Sequence, residues 1–377
     1  MMNDNISLFQ KLQSGALELP HRIVMAPLTR GRAPDRVPNE LMVEYYSQRS
    51  SAALIISEAT AISPQGYGWP DSPGIYTKAQ IKGWQDITSA VHESDGRIFL
   101  QLWHMGRLSH PDYQNGEAPV GPSPVPAPGM AHTPAGKKNY TVPRELKPHE
   151  IKTIVRDYAQ AAQNAREAGF DGVEIHGANG YLIDQFLRDA SNQRQDEYGG
   201  SIENRSRFLR EVVEAVSDAW SPDRTGLRLS PTMNEKGMGD SDPIQLYSEV
   251  ALMLNKYDLA YLHIVEPIQQ GRLFNPSAPR VTPHIRQNYK GVLIANGGYS
   301  KRTAAEAIRQ GDADAISFGQ SFIANPDLPA RFLFDSPLTV PDPHTYYTMG
   351  GAGYVDYPSL SNTWKDSKPV HVNQAVD

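Results

Sequence analysis

Eight short apolar runs, each followed by a stretch with helical periodicity, constrain this chain more than any other feature of its sequence. The runs occupy 23–26, 54–58, 98–103, 172–176, 226–230, 260–265, 292–296 and 315–318. Most are apolar without alternation, as strands buried on both faces must be. Helical stretches fit near 38–50, 78–91, 148–169, from about 201, 243–256, 283–289, 301–309 and 326–332. In the third, Ile151, Ile154, Val155, Tyr158, Ala161, Ala162 and Ala165 fall on one stripe, with Pro148 at the first turn and Gly169 after the last. In the fourth, Phe208, Leu209, Val212, Val213 and Val216 face inward. Eight such units predict an α/β fold, a (β/α)8 barrel of the TIM-barrel kind. A doubly wound sheet is the alternative, but no G-x-G-x-x-G follows an early strand to support it.

A chain of 377 residues is long enough to be one such barrel. We read 1–377 as a single domain, with the barrel at about 22–334. The stretch 105–146 follows the third strand, holds eight of the thirty prolines and is too long for an ordinary loop. It is expected to be a lid over one end of the barrel. Residues 335–377 are expected to form a tail that packs on the barrel. A hydrophobic share of 39% with 21% charged residues is that of a globular protein. A net charge of −6 and a pI near 6.0 leave no electrostatic footprint for nucleic acid. No apolar window is long enough to span a membrane, and MMNDNISLFQ has neither a basic nor an apolar signal region, so the expectation is a soluble, cytoplasmic protein. The absence of cysteine excludes disulfides, thiolate metal sites and thiol catalysis, and no metal is expected.

Chemistry in such barrels sits at the C-terminal ends of the strands. Polar residues there need explaining. Thr29 lies just past the first strand, Glu58 and Ala59 end the second, and Gln101, Trp103 and His104 end the third. The fourth delivers His176, Asn179 and Tyr181, an imidazole, a carboxamide and a phenol among small residues. Each polar group also has a plain structural reading: Thr29 as a helix cap, Gln101 and His104 as satisfied core polars, Asn179 as a turn residue. Arg228, inside the fifth strand, resists one. A buried cation is costly unless paired, either with a ligand carrying delocalised negative charge or with Glu58 or Glu174. The loops ANGGYS and FGQS, after strands seven and eight, expose backbone N–H groups where barrels commonly hold phosphate. Flavin mononucleotide fits these features, and so does a sugar phosphate. A glycoside hydrolase would need two carboxylates at strand ends. Glu58 and Glu174 are available, but Glu174 shares its facing with His176. A non-catalytic small-molecule-binding barrel is the third reading.

The stretches IVMAPLTR, LIISEATAISPQG, LQLWHMGR, GFDGVEIHGANGYLIDQFLRDASNQRQDEYGGSIENRSRFL, GLRLSP, LIANGGYS, SFGQSFIANPDLPARF and YYTMGGAGYVDYP stand in order along the chain. With them the sequence closely resembles the Old Yellow Enzyme family of FMN-dependent ene-reductases, which includes the oxophytodienoate, N-ethylmaleimide and pentaerythritol tetranitrate reductases. The resemblance implies non-covalently bound FMN, NADPH or NADH as reductant, and hydride transfer from flavin N5 to the activated C=C bond of enones or nitroalkenes, with nitro compounds as further substrates. It implies a monomer or homodimer with no nucleic-acid or membrane partner. It further implies that Thr29 bonds the flavin O4, Gln101 contacts the pyrimidine edge and Arg228 stabilises the anionic reduced flavin. Pro27, Leu28 and Ala59 would add flavin contacts, and Asn296, Gly297, Gly298 and Gly319 would cradle the phosphate. His176 and Asn179 would clamp the substrate oxygen, and Tyr181 would donate the proton. Two positions depart from the family pattern. Gln320 stands where an arginine is usual at the phosphate, and Trp69 where many relatives have a pocket tyrosine. Trp69 is expected to reshape the substrate site together with Tyr347, with Tyr67 as a nearby second phenol.

Overall fold

The structure is a computed structural model that describes residues 6–270 and 274–360. Eight parallel strands close on themselves: β1 Ile23–Met25, β2 Ile55–Ile56, β3 Ile98–Trp103, β4 Gly172–His176, β5 Thr225–Leu229, β6 Tyr261–Val265, β7 Leu293–Asn296 and β8 Ala315–Phe318. Closure is made by β8 on β1, where Phe318 pairs with Met25, and by β3 on β4, where Gln101 pairs with Glu174. The helices between them are α1 Glu40–Ser47, α2 Lys78–Glu93, α3 Pro148–Glu167, α4 Arg207–Ala219, α5 Pro243–Leu254, α6 Thr282–Asn288, α7 Lys301–Gln310 and α8 Leu328–Leu333. This is the (β/α)8 barrel that the alternation predicts. Capping is written locally. Thr77 and Gln80 form a capping box at α2, and Gly311 ends α7 at φ 77°. Among the described residues no helix is long and apolar enough to cross a membrane.

Three elements differ from the sequence reading. The second strand is only two residues long, and its ladder resumes at Thr60–Ala61 against β3. The interruption is Glu58, fully buried, whose carboxylate accepts from the Arg30 backbone N–H and the Tyr46 hydroxyl (both 3.3 Å) and so breaks the inward alternation. The helix expected from 201 is split into Ile202–Arg205 and α4. The eighth unit carries an extra short helix, Gln320–Ala324, ahead of α8.

Inside the barrel the side chains form layers. The lower one is apolar, with Val24, Ile56, Phe99, Tyr261, Ile294 and Ala315, and the N-terminal hairpin Leu12–Ser14/Leu17–Leu19 closes it with Leu19. Gly172 and Gly226 are the space for those rings. A Cβ on either would lie 2.3 Å from Phe99 or Tyr261. Above this layer come Gln101, Glu174, His263 and Ser317, all buried and polar. The 105–146 connection carries a hairpin, Met130–Thr133/Gly136–Asn139, and a two-residue ladder of Val120–Gly121 with Arg144–Glu145. The tail is held by buried cations. Arg30 donates to the carbonyls of Tyr346 and Gly353 (3.1 and 2.7 Å), and Arg32 to those of Tyr346 and Thr345 (both 2.8 Å). The part of the expected tail beyond residue 360 lies outside the described residues.

Candidate active site

The end of β4 and the turn after it carry His176, Asn179 and Tyr181, and the turn is tied to β5 and to the core. Gly177 N–H donates to the Arg228 carbonyl, tying the turn to β5. Asn179 has φ 59°, a left-handed conformation that Asn tolerates better than most residues. Its N–H donates to Ser230 Oγ at 2.7 Å, and the Gly180 N–H donates to Asp184 Oδ2 at 2.8 Å. Asp184 is fully buried and also accepts from Arg188 Nε (2.7 Å) and the Tyr247 hydroxyl (3.1 Å). The turn is thus bolted to a charged cluster in the core. His176 Nδ1 accepts from the Ala178 N–H at 3.3 Å, so its proton sits on Nε2. Burial, with Arg228 and then His263 nearby, holds the imidazole well below its usual pKa, and it is neutral. Among the described residues no protein acceptor meets the Nε2–H, and neither polar atom of the Asn179 carboxamide has a partner; its Oδ1 is buried. The Tyr181 ring meets His176 edge-on at 4.8 Å and Trp103 at 5.2 Å.

Arg228 makes no ion pair with either glutamate. Glu58 is spent on Arg30 and Tyr46, and Glu174 on Gln101 and His263. The guanidinium donates through Nη2 to Asn296 Oδ1 (2.8 Å), while its buried Nε has no partner. Burial pulls its pKa down, yet it remains a cation in want of an anion. The Asn296 carboxamide donates in turn to the Ser317 carbonyl (2.9 Å), so it orients Arg228 and ties β7 to β8. Gly297 and Gly298, at φ 124° and 77°, present their backbone past the end of β7. A Cβ on Gly319 would approach Leu28 to 3.2 Å, which places the turn after β8 against the one after β1. Pro27 and Ala59 are buried, and Leu28 and Thr29 half-buried, in those turns. An orphaned buried cation, a glycine-lined backbone cradle and a free carboxamide fit an anionic heterocycle with a phosphate tail. FMN satisfies each.

Trp69 stands between lid and tail. Its ring lies 4.6 Å from His132 of the lid hairpin and 5.2 Å from Tyr347 of the tail. It packs against the buried cluster of Ala59, Trp103, Met105, Leu108 and Ala127, on which Tyr181 also packs, so the structure brings Trp69 and Tyr347 together near Tyr181. Tyr67 turns away into a separate cluster with Tyr113 and Tyr76, its ring under Arg36 at 4.0 Å. Gln320 is exposed at the start of its short helix. Lys301, at the start of α7, is paired with Asp335 at 2.5 Å, and Arg302 with Glu306 at 3.3 Å.

A family model described as NADH:flavin oxidoreductase / NADH oxidase matches residues 7–336. The chain belongs to that family. It is an Old Yellow Enzyme, an NAD(P)H-dependent flavin oxidoreductase on a TIM barrel. It is 44% identical over 373 residues to 12-oxophytodienoate reductase 1 of Oryza sativa subsp. japonica, covering 97% of this chain and 96% of that one. The solved structure of the Old Yellow Enzyme homologue from Zymomonas mobilis superposes with a TM-score of 0.92 at 50% identity, covering 94% of this chain and all of the other. Morphinone reductase in complex with tetrahydroNAD gives a TM-score of 0.89 at 47% identity, covering 94% and 98% of the two chains.

In this Old Yellow Enzyme the supporting residues were not legible in advance. Asp184, Arg188, Ser230 and Tyr247 hold the clamp, and Glu174, His263 and Ser317 hold Gln101. One signal was available. Asp184 and Arg188 are four apart in a largely apolar stretch, the spacing of a helical ion pair.

Proposed function

We propose that the protein is an FMN-dependent ene-reductase that uses NADPH or NADH to reduce activated C=C bonds of α,β-unsaturated carbonyl compounds and nitroalkenes. The same clamp would accept other nitro compounds. The observation that carries this reading is the neutral His176, whose Nε2–H meets no acceptor among the described residues, on the same turn as an Asn179 carboxamide that has no partner among them. FMN, when bound, supplies hydride exchange, taking one from a nicotinamide and passing one to an electron-poor carbon. Arg228, Gln101, Thr29 and the glycines at 297, 298 and 319 are the groups that would hold it.

What the chain's own residues do follows from charge. Reduction at the β-carbon drives negative charge onto the substrate oxygen. Two preorganised donors aimed there lower the barrier by about 2.7–4 kcal/mol each in comparable oxyanion sites. His176 is suited to this because it is already neutral and its tautomer is set by Ala178, so nothing reorganises as charge develops. The α-carbon then needs a proton, and the Tyr181 hydroxyl is the acid of this turn. Trp69, Trp103 and Tyr347 wall the space and exclude water from the developing anion.

Phenols test the clamp, because a phenolate mimics the enolate. Wild type is expected to bind p-hydroxybenzaldehyde with a long-wavelength charge-transfer band over oxidised FMN. His176→Ala/Asn179→Gly, which keeps the backbone at φ 59° unstrained, is expected to lose the band and most enone turnover while retaining FMN. A double variant with the wild-type band would sink the assignment.

A further inference from the structure

Beneath the clamp lies a chain of buried hydrogen bonds that no step above uses. Ser317 Oγ is 2.8 Å from His263 Nε2, His263 Nδ1 is 2.8 Å from Glu174 Oε2, and Gln101 Nε2 is 2.7 Å from Glu174 Oε1. Glu174 and His263 are completely buried, and Gln101 and Ser317 are 1–2% exposed. Four strands contribute one residue each, β3, β4, β6 and β8.

The polarity of this chain is forced. A carboxylate only accepts, so both of its neighbours must donate to it. His263 is neutral, its pKa lowered first by burial, and therefore carries one ring proton. That proton is on Nδ1, facing Glu174. Nε2 is then an acceptor, and the Ser317 hydroxyl donates to it. On the other side Gln101 must present its NH2 to Glu174. An amide whose nitrogen is fixed has its oxygen fixed too. Gln101 Oε1 has no protein donor among the described residues and is left as a bare acceptor in the barrel mouth. Its neighbour on the next strand but one is Arg228, a donor with an unmet Nε.

We propose that Glu174 is a positioning residue. Anchored by His263 and Ser317, it holds the Gln101 amide with oxygen outward, so that the site selects a heterocycle edge whose ring nitrogen carries a proton. For FMN that is the N3–H of the pyrimidine ring. The proposal rests on the reading that puts the flavin edge on Gln101. Without Glu174 the amide rotates freely between acceptor and donor faces, and the discrimination is lost even where overall affinity survives.

The test is the ratio of dissociation constants of 3-methyl-FMN and FMN on the full-length protein stripped of flavin. A general loosening of the barrel weakens both ligands alike and leaves this ratio unmoved. In wild type the methyl group removes the donor and strands a buried acceptor, and a ratio of about tenfold to a hundredfold is expected. Glu174→Met is expected to bring it below about threefold. Glu174→Gln is expected to restore it, because its oxygen still accepts from Gln101 while its NH2 donates to the other His263 tautomer. Glu174→Leu, which likewise removes the acceptor from Gln101, keeps the test open if Glu174→Met does not fold, and its ratio should fall as well. The proposal is overturned if Gln101→Ala abolishes the discrimination but Glu174→Met or Glu174→Leu keeps it. If wild type does not discriminate, or Gln101→Ala leaves the ratio intact, the flavin edge is not on Gln101, and the placement of the cofactor fails with the proposal.

Discussion

Tyr181 occupies a position where its ring is fixed by two edge-on contacts while its hydroxyl end belongs to the turn that carries the clamp. In the proposed role of proton donor it would act only when substrate is reduced. Tyr181→Phe is therefore expected to leave flavin reduction by NAD(P)H near wild type and to slow reoxidation by cyclohexenone by about 10²–10⁴-fold, the usual weight of general acid catalysis. Nitroalkenes should suffer less, since a nitronate persists without prompt protonation. Stopped-flow traces with equal cyclohexenone reoxidation in both proteins would remove Tyr181 from the mechanism. Gln320 is a second residue-scale question. A charged hydrogen bond contributes about 1.5–3 kcal/mol and a neutral one about 0.5–1.5. Lys301 and Arg302 already carry carboxylate partners, Asp335 and Glu306. Gln320→Arg is thus expected to tighten FMN by roughly five- to thirtyfold, read by flavin fluorescence on titration of apoprotein. Unchanged affinity would mean that the phosphate lies elsewhere.

At the scale of elements, the clamp is only as rigid as the turn between β4 and the helix Leu182–Leu187. That turn is tied to β5 through Ser230, which accepts from the Asn179 N–H and donates to Asp184 at 3.3 Å. Ser230→Ala leaves a half-buried N–H unsatisfied and should cost about 1 kcal/mol of stability by chemical denaturation. Phenol affinity should fall with it while FMN affinity holds. Equal loss of both ligands would mean that Ser230 supports the whole barrel and not the clamp. Lid and tail are coupled in a similar way. Trp69 is sandwiched by His132 and Tyr347, and the tail behind Tyr347 is fixed by Arg30 and Arg32. The mouth is therefore shaped by three segments far apart in sequence.

For the molecule as a whole, burial has kept several histidines uncharged. Desolvation lowers His21 to about 4 and His104 to about 3, and depresses His176 and His263 as well. Each takes up a proton on unfolding below its unfolded pKa of about 6.5, so each contributes stability that is complete above that pH and is lost as pH falls. Glu58 acts in the opposite sense. Burial raises it to about 7, so between about 4.5 and 7 it releases a proton on unfolding. Four imidazoles that take up protons outnumber the one carboxyl that releases one, so stability falls as pH drops from 7 towards 5. Denaturant titrations between pH 7 and 5 should fall steeply on acidification. A flat profile would show that these imidazoles are hydrated.

The order of strands and helices, and which strand ends carry polar side chains, were written in the sequence because they depend on local rules. Continuous apolar runs specify strands buried on both faces, strand ends specify where chemistry sits, and His176, Asn179 and Tyr181 follow one strand within six residues. The break of β2 at Glu58, the split before α4 and the supports of the clamp were not legible. Each depends on a partner distant in the chain: Glu58 on Tyr46 and Arg30, Asn179 on Ser230, Gln101 on Glu174. A side chain's type announces what it can donate or accept. Whether it has done so already, and so what it has left to offer a ligand, was decided only when barrel closure brought β3, β4, β6 and β8 around one buried carboxylate.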